Sequence, residues 1–204
     1  MNNDTPKDKS EHTPSIRFSH WQHEIDQWFS DKGWEYWSDE EIVSQLAEGV
    51  GELAKEVKHR FGDKKKRSDE QDGDLAGELG DIMYAVVCFA NKHGIRLADL
   101  PFVEAALSLD TTVDPRRLAN RLFADAGRFA GVVDSFYESN EALAKHKTVL
   151  LTAARLLKTI DECASACGTS VDDATEKTIE KIARRDTKRF LRVIKPGETP
   201  DDNP

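Results

Sequence analysis

Two amphipathic helices joined by a charged connection constrain this chain more than any other feature of its sequence. Residues 46–81 read LAEGVGELAKEVKHRFGDKKKRSDEQDGDLAGELGD. Apolar residues recur there three and four positions apart, which places them on one face of a helix. The first stripe is Leu46, Val50, Leu53 and Val57, and the second is Leu75, Leu79, Ile82 and Val86. The pattern therefore predicts two helices separated by a basic, turn-rich segment.

Four acidic residues lie on these predicted helices in two close pairs. Glu48 and Glu52 are four residues apart, and Glu78 and Asp81 are three apart. An antiparallel hairpin would bring the four carboxylates together, where they repel one another unless a cation lies between them. Carboxylate oxygens are the ligands that Mg²⁺ prefers, and Mg²⁺ also binds substrate phosphates. The alternative is that these acids form ordinary solvated helix faces, which Glu56 continues on the first helix.

The composition predicts a helix-rich protein of the cytoplasm. Of 204 residues, 38% are hydrophobic and 33% are charged, enough for one compact domain or two small halves. The net charge of −9 argues against stable nucleic-acid binding through electrostatics. No apolar run approaches the roughly 20 residues of a membrane span, and MNNDTPKDKS lacks the apolar core of a signal peptide. Three cysteines, few and odd in number, fit a reducing compartment.

The periodicity divides the chain into two helical halves between two polar ends. We expect a flexible tail at 1–14, a helical half carrying the acids at 15–110, a second helical half at 111–193 and a flexible tail at 194–204. The second half reads as a faint copy of the first, because LFADAGRFAGVV (122–133) aligns with LAEGVGELAKEV (46–57). The acids are absent from the copy, where their positions are taken by Ala124, Arg128, Thr152 and Arg155. The second half is therefore expected to have a packing role.

Two connections in the first half contain side chains with two interpretations each. Trp34 and Trp37 follow a helix predicted at 15–31, and they either stack on a nucleotide base or fasten the connection to the core. Lys64 and Lys65 lie between the acidic helices, where they either bind phosphate oxygens or face solvent.

The two acidic segments also carry a family resemblance. LAEGVGELAKEVKHRFG and GELGDIMYAVVCFANKHGI resemble a MazG-like protein of the all-α NTP pyrophosphohydrolase superfamily, whose pattern is EExxE, a variable connection and ExxD. The similarity covers about residues 15–100, and EKTIEKIARRDTKRF (176–190) resembles the family's C-terminal helix. The resemblance implies an all-α helical bundle and Mg²⁺-dependent cleavage of a nucleoside triphosphate to the monophosphate and pyrophosphate, with Mn²⁺ as an alternative metal. It also implies a homodimer, for which the half-copy would substitute as a pseudo-dimer within one chain.

The resemblance transfers roles to particular residues. Glu52, Glu78 and Asp81 match metal ligands of the family, and Glu48 matches the first glutamate of EExxE. Glu48 is also expected to bind the metal, and Glu48 and Glu52 are the catalytic candidates. Gly49 departs from the pattern, because it stands where the family has its second glutamate. The substrate-binding candidates are Lys64, Lys65, Asn91, Arg184, Arg185, Trp34 and Trp37.

Three functions are open at this point. The first is a nucleotide pyrophosphohydrolase, with housecleaning of the nucleotide pool as its role; the others are a non-catalytic nucleotide-binding protein and a structural helical partner. The four acids favour the first function, and Gly49 favours the other two. If the site is a weakened catalyst, Gly49→Glu is expected to raise Mg²⁺ affinity and turnover without harming the helix. Two explanations of Gly49 compete: either Glu48 or Glu56 takes over coordination, or the site has lost turnover.

Overall fold

The computed structural model describes residues 14–69, 73–100, 113–136 and 147–185. The predicted tails, apart from Pro14, and the predicted boundary at residues 110 and 111 lie outside these residues. The all-α bundle predicted from the sequence is confirmed. Within the described residues, no helix combines the length and apolar character that a bilayer crossing requires. The elements are α1 (Pro14–Lys32), α2 (Asp39–Phe61), α3 (Leu75–Lys92), a 3₁₀ turn (Leu97–Asp99), α4 (Pro115–Ser135), α5 (Lys147–Ala166) and α6 (Val171–Arg185).

Helix ends follow from the capping residues that the sequence supplies. The Ser38 hydroxyl accepts a hydrogen bond from the Glu41 backbone N–H at 3.2 Å, which caps α2. Gly33 and Gly94 follow the ends of α1 and α3 with φ of 62° and 64°. Glycine enters this left-handed region without steric cost, so both positions suit the ends of their helices.

Helix α3 lies at the centre of the bundle. Every residue from Ile82 to Ala90 is buried, because α2 and α6 pack along α3 and α1 and α5 also contact it. A helix that is apolar on all sides requires this kind of enclosure. The acidic side chains of α3 therefore occur only in its first two turns, at Glu78 and Asp81.

The second helical half shares the core of the first. Helices α4 and α5 pack on each other, and α4 also packs along α2. Leu118, Leu122 and Phe129 of α4 are at most 1% exposed, and the Phe129 ring meets Phe89 of α3 edge to face at 4.9 Å. The internal duplication stays a prediction.

Two glycines determine how closely α3 approaches its neighbours. A Cβ on Gly80 would collide with the backbone carbonyl of Ala174 and the hydroxyl of Thr178, so α6 lies directly against the α3 backbone. A Cβ on Gly49 would lie 2.9 Å from Cγ1 of the buried Ile82. The expectation that Gly49→Glu leaves α2 unharmed is therefore wrong, because any side chain there meets the packed interface of α2 and α3.

A pair of alanine substitutions in α2 tests this packing. Gly51→Ala is expected to stabilise the protein by about 1 kcal/mol, because glycine is a poor helix former and nothing lies within 4 Å of the added methyl. Gly49→Ala has the same propensity gain but overpacks the interface at a cost of about 1–3 kcal/mol. Urea denaturation should therefore show Gly49→Ala less stable than Gly51→Ala. Equal stabilisation by both substitutions would contradict the close approach.

Removal of the second half should expose the core. A fragment ending at Asp110 lacks α4, and loses the cover that this helix gives to α2 and Phe89. We expect the fragment to aggregate or oligomerise, because large exposed apolar surfaces associate. Light scattering coupled to size exclusion, with the full-length chain as the reference, measures this. A monomeric and cooperatively folded fragment would show that the second half is dispensable.

Candidate active site

A cavity of about 470 Å³ opens between α2, the first turns of α3, and α6. Its size suits a small-molecule ligand. One wall carries carboxylates and the facing wall, on α6, carries cations. The carboxylates are Glu52, Asp74, Glu78 and Asp81, and the cations are Lys177, Lys181 and Arg184.

Glu52 and Glu78 form a carboxyl pair across the interface of α2 and α3. Burial, the hydrogen bond with Glu52 and the charges of Glu52 and Asp81 together raise the pKa of Glu78 to about 7, against the charge of Lys181, which lowers it. Near neutral pH, Glu78 is therefore partly protonated, and in that form its carboxyl donates a hydrogen bond to the Glu52 carboxylate. The pair therefore holds a proton where two negative charges would repel.

Asp81 is held by α6 from the opposite side. The Lys181 ammonium lies 2.7 Å and 2.5 Å from the two carboxylate oxygens. The Thr178 hydroxyl is also 3.0 Å from Asp81 Oδ1, and its side chain is fully buried. Asp81 is therefore neutralised by a charge-assisted hydrogen-bonded pair.

A second ion pair lies at the rim of the same cavity. Lys177 pairs with Asp74, the residue before α3. Burial raises the pKa of Asp74, but the Lys177 ammonium and the Gly77 backbone N–H outweigh this and hold it below its usual value. Lys177 and Lys181 thus join α6 to α3 at two successive positions on one helix face.

Glu48, the first glutamate of the family pattern, does not line this cavity. Its side chain is exposed, and its carboxylate oxygen lies 3.5 Å from the Gln45 amide nitrogen. The structure thus brings together three of the four predicted metal ligands.

Glu56 is hydrogen-bonded to structural partners and is therefore not a candidate for metal coordination. It is only 8% exposed, and its carboxylate accepts hydrogen bonds from Lys66 at 2.6 Å and the Gly73 N–H at 3.0 Å. Burial raises its pKa, but these partners together hold it below the usual value. The expectations that Glu56 continues a solvated face or takes over coordination are therefore wrong, because it fastens the segment between α2 and α3.

Lys64 and Lys65, the two lysines of that segment expected to bind phosphate, lie outside the cavity. Lys64 is exposed, and Lys65 donates to the Gly62 carbonyl at 3.2 Å. Neither residue lines the cavity.

The remaining substrate-binding candidates divide between the cavity and the far end of α3. Arg184 lines the cavity; Arg185 ends α6, and its side chain lies outside the described part. Asn91 donates to the Gln22 carbonyl at 3.1 Å and to the Tyr36 hydroxyl at 3.0 Å, so it joins α1 to α3. Trp34 and Trp37 pack against the core, which agrees with the alternative that they fasten the connection.

Helices α4 and α5 form a second hairpin, for which the alignment predicts no acidic metal site. This hairpin contains one buried acid, whose charge is compensated by neighbouring side chains. Asp125 is 1% exposed and is paired with Arg128 at 2.6 Å and Arg155 at 2.7 Å. The Thr159 hydroxyl also donates to Asp125 at 2.8 Å. Arg128 and Arg155 occupy the positions aligned with Glu52 and Asp81, and both are engaged in stabilising the interface of α4 and α5.

The donor atoms of the cavity fit a hard divalent cation. Glu52, Glu78 and Asp81 present carboxylate oxygens on one wall, and Mg²⁺ and Mn²⁺ prefer ligands of this type. The Lys181 ammonium already places a positive charge beside Asp81. No three acidic, histidine or cysteine side chains converge as a ready ligand set in the described ranges. A metal would have to displace both the Glu78 proton and Lys181.

Sequence reasoning missed Lys177, Thr178 and Lys181 as members of the site. A signal for the two lysines was present, because Lys177, Lys181 and Arg184 recur at helical spacing and share one face. The position of that face over Asp81 depends on the packing of α6 on Gly80, which no local pattern reveals.

Comparison with known proteins identifies the two helices that carry the carboxylates. The model of the MazG nucleotide pyrophosphohydrolase domain matches residues 38–101, from the cap of α2 to just beyond α3. The uncharacterized protein YpjD of Bacillus subtilis (strain 168) is 37% identical over 78 residues, which cover 38% of this chain and 70% of YpjD. No solved structure matches the chain significantly. The chain therefore belongs to the MazG nucleotide pyrophosphohydrolase family, with α4, α5 and α6 outside the matched region.

The shared proton of the carboxyl pair predicts a pH dependence of stability. Between pH 4.5, the ordinary pKa, and about 7, folded Glu78 holds a proton that the unfolded chain has released. Its contribution to stability therefore falls as pH rises through this window. In metal-free buffer, Glu78→Gln should stabilise the protein relative to wild type more at pH 8 than at pH 5.

Urea denaturation at both pH values measures this difference. Glu48→Gln removes the same charge from an exposed side chain of α2 and controls for net charge. An identical effect of Glu78→Gln at pH 5 and pH 8 would show that Glu78 does not hold the proton.

Proposed function

We propose that this protein is a Mg²⁺-dependent nucleoside triphosphate pyrophosphohydrolase that serves nucleotide-pool housecleaning in the cytoplasm. The observation that carries the proposal is the cavity with carboxylates on one wall and three cations on the other. A triphosphate is highly negatively charged, so it would use both walls of the cavity. The cations would bind its phosphate oxygens, and the carboxylates would bind the metal that neutralises it. Membership of the MazG family makes a nucleotide the expected ligand.

Glu52, Glu78 and Asp81 are the proposed metal ligands. When bound, Mg²⁺ would neutralise the triphosphate and polarise a phosphorus–oxygen bond. Glu52 is the stronger of the two catalytic candidates, because it lines the cavity and Glu48 does not. The Glu52 carboxylate is proposed to accept a proton from the attacking water.

The reaction is a hydrolysis of the anhydride between the α- and β-phosphates. The water oxygen forms a bond to phosphorus, the bond to the bridging oxygen breaks, and pyrophosphate leaves with the electron pair. Negative charge then increases on pyrophosphate, which Lys177, Lys181 and Arg184 are placed to bind from α6.

The second hairpin is proposed to replace a partner subunit. Its helix α4 covers the apolar face of α2, and its charges are satisfied around Asp125. Because α4 covers α2, one chain would contain one acidic site and one half that serves packing. The chain would thus be a pseudo-dimer.

A nucleotide-binding protein without turnover is the second candidate. Gly49 favours it, since the close contact with Ile82 leaves no room for the glutamate of the family pattern. Such a protein would still bind nucleotide and metal through the same walls.

Pyrophosphate release from a panel of ribo- and deoxyribonucleoside triphosphates with Mg²⁺ distinguishes the two candidates. At least one nucleotide should be hydrolysed, and Asp81→Asn should lower the rate by at least roughly 100-fold, the upper range for groups that only support a metal ligand. Asp31→Asn makes the same chemical change on the exposed side of α1 and should leave the rate unchanged. Binding of Mg²⁺ and nucleotide without release from any substrate would reject the enzyme and support the binding protein.

A further inference from the structure

Two groups from α6 contact the Asp81 carboxylate. Lys181 contacts both oxygens, at 2.7 Å and 2.5 Å, and the Thr178 hydroxyl lies 3.0 Å from one of them. A divalent cation that binds to Asp81 therefore meets a competing cation that belongs to the protein itself.

The helix that carries Lys181 is fixed in place, but the side chain is not. Gly80 allows the backbone of α6 to pack against α3 at Ala174, and Thr178 is completely buried between the two helices. The Lys181 side chain is 34% exposed at the cavity, and its four-carbon stem can turn without any movement of α6. Exchange at Asp81 thus requires only a rotamer change.

A released Lys181 would join two other cations along the same wall. Lys177, Lys181 and Arg184 are spaced by four and three residues, so they follow one face of α6 over about 10 Å. A row of three cations can contact several phosphate oxygens of one ligand. The ammonium that leaves Asp81 remains in the cavity, where the phosphate oxygens would lie.

We propose that Lys181 is an exchangeable counter-ion, which neutralises Asp81 in the metal-free protein and is released by Mg²⁺ to bind phosphate oxygens. This rests on the proposed function, since it assigns the metal to Asp81 and the phosphates to the α6 wall. It makes the two ligands cooperative: the metal frees the lysine for phosphate, and phosphate keeps the lysine away from the metal ligand. A purely structural ion pair would instead only fasten α6 to α3.

Calorimetric titration with MgCl₂ alone tests the exchange without any turnover. Lys181→Gln removes the competing cation and should raise Mg²⁺ affinity by roughly fivefold, the effect expected for a partly exposed ion pair. Lys181→Arg keeps a cation beside Asp81 and should not raise the affinity. Lys177→Gln removes an equal charge from the same wall but from a pair with Asp74, and should raise the affinity less than Lys181→Gln.

Binding of inorganic pyrophosphate at saturating free Mg²⁺ gives the second measurement. Lys181→Gln should weaken it by roughly tenfold, whereas Lys181→Arg should keep most of the affinity. Metal and pyrophosphate affinities thus change in opposite directions, which a general loss of structure does not produce. Thermal unfolding of each variant confirms that the protein is folded.

The outcomes separate this inference from the proposed function. Unchanged or weaker Mg²⁺ binding by folded Lys181→Gln overturns the exchange, even if wild type hydrolyses nucleotides. Tighter Mg²⁺ binding with weaker pyrophosphate binding supports the exchange, even if no nucleotide is hydrolysed and the enzyme is rejected. Absence of Mg²⁺ binding in wild type and all variants also overturns it.

Discussion

The contact between α3 and α6 at Gly80 is the constraint on which the site depends. Because glycine has no side chain, the two backbones meet and Thr178 is enclosed between them. This contact sets the register of α6, and the register places Lys177 beside Asp74 and Lys181 beside Asp81. Without it, the basic face of α6 would have no fixed relation to the acids of α3, and the cavity would have only one charged wall.

The cavity brings together charged side chains that the packing of the helices does not require. The pKa of Glu78 is raised to about 7 because its carboxyl is partly buried and because Glu52 and Asp81 lie close to it. Asp39 shows how a partly buried carboxylate is usually compensated. Burial raises its pKa, but His93 and Lys92 together hold that pKa below the usual value. Carboxyl groups kept partly protonated beside an open cavity lower stability at neutral pH, and such sites are enriched in binding and catalytic functions.

Much of the fold could be predicted from local patterns, and less of the site could. The apolar spacing of Leu46 to Val57 and the capping at Ser38 depend on neighbours along one helix, so α2 could be located to within a residue or two. The interface role of Gly49 and the burial of Glu56 depend on α3 and on Gly73, respectively. The sequence alone could not assign Lys181 to the site, because its partner Asp81 lies 100 positions away in sequence. Local spacing thus fixes which residues share a face, and tertiary packing decides what that face meets.

The hairpin of α2 and α3 and that of α4 and α5 differ in how their acidic side chains are compensated. In the second hairpin, Asp125 stands at the position aligned with Gly49, and Arg128 and Arg155 stand at those aligned with Glu52 and Asp81. There the buried Asp125 carboxylate is compensated by two guanidinium groups within hydrogen-bonding distance, whose side chains are more than half exposed. In the first hairpin, the glycine permits close packing, and the carboxylates face a cavity and need partners from outside α2 and α3. The two hairpins therefore differ in charge compensation: the second satisfies its buried acid with its own arginines, and the first leaves its carboxylates to partners on α6.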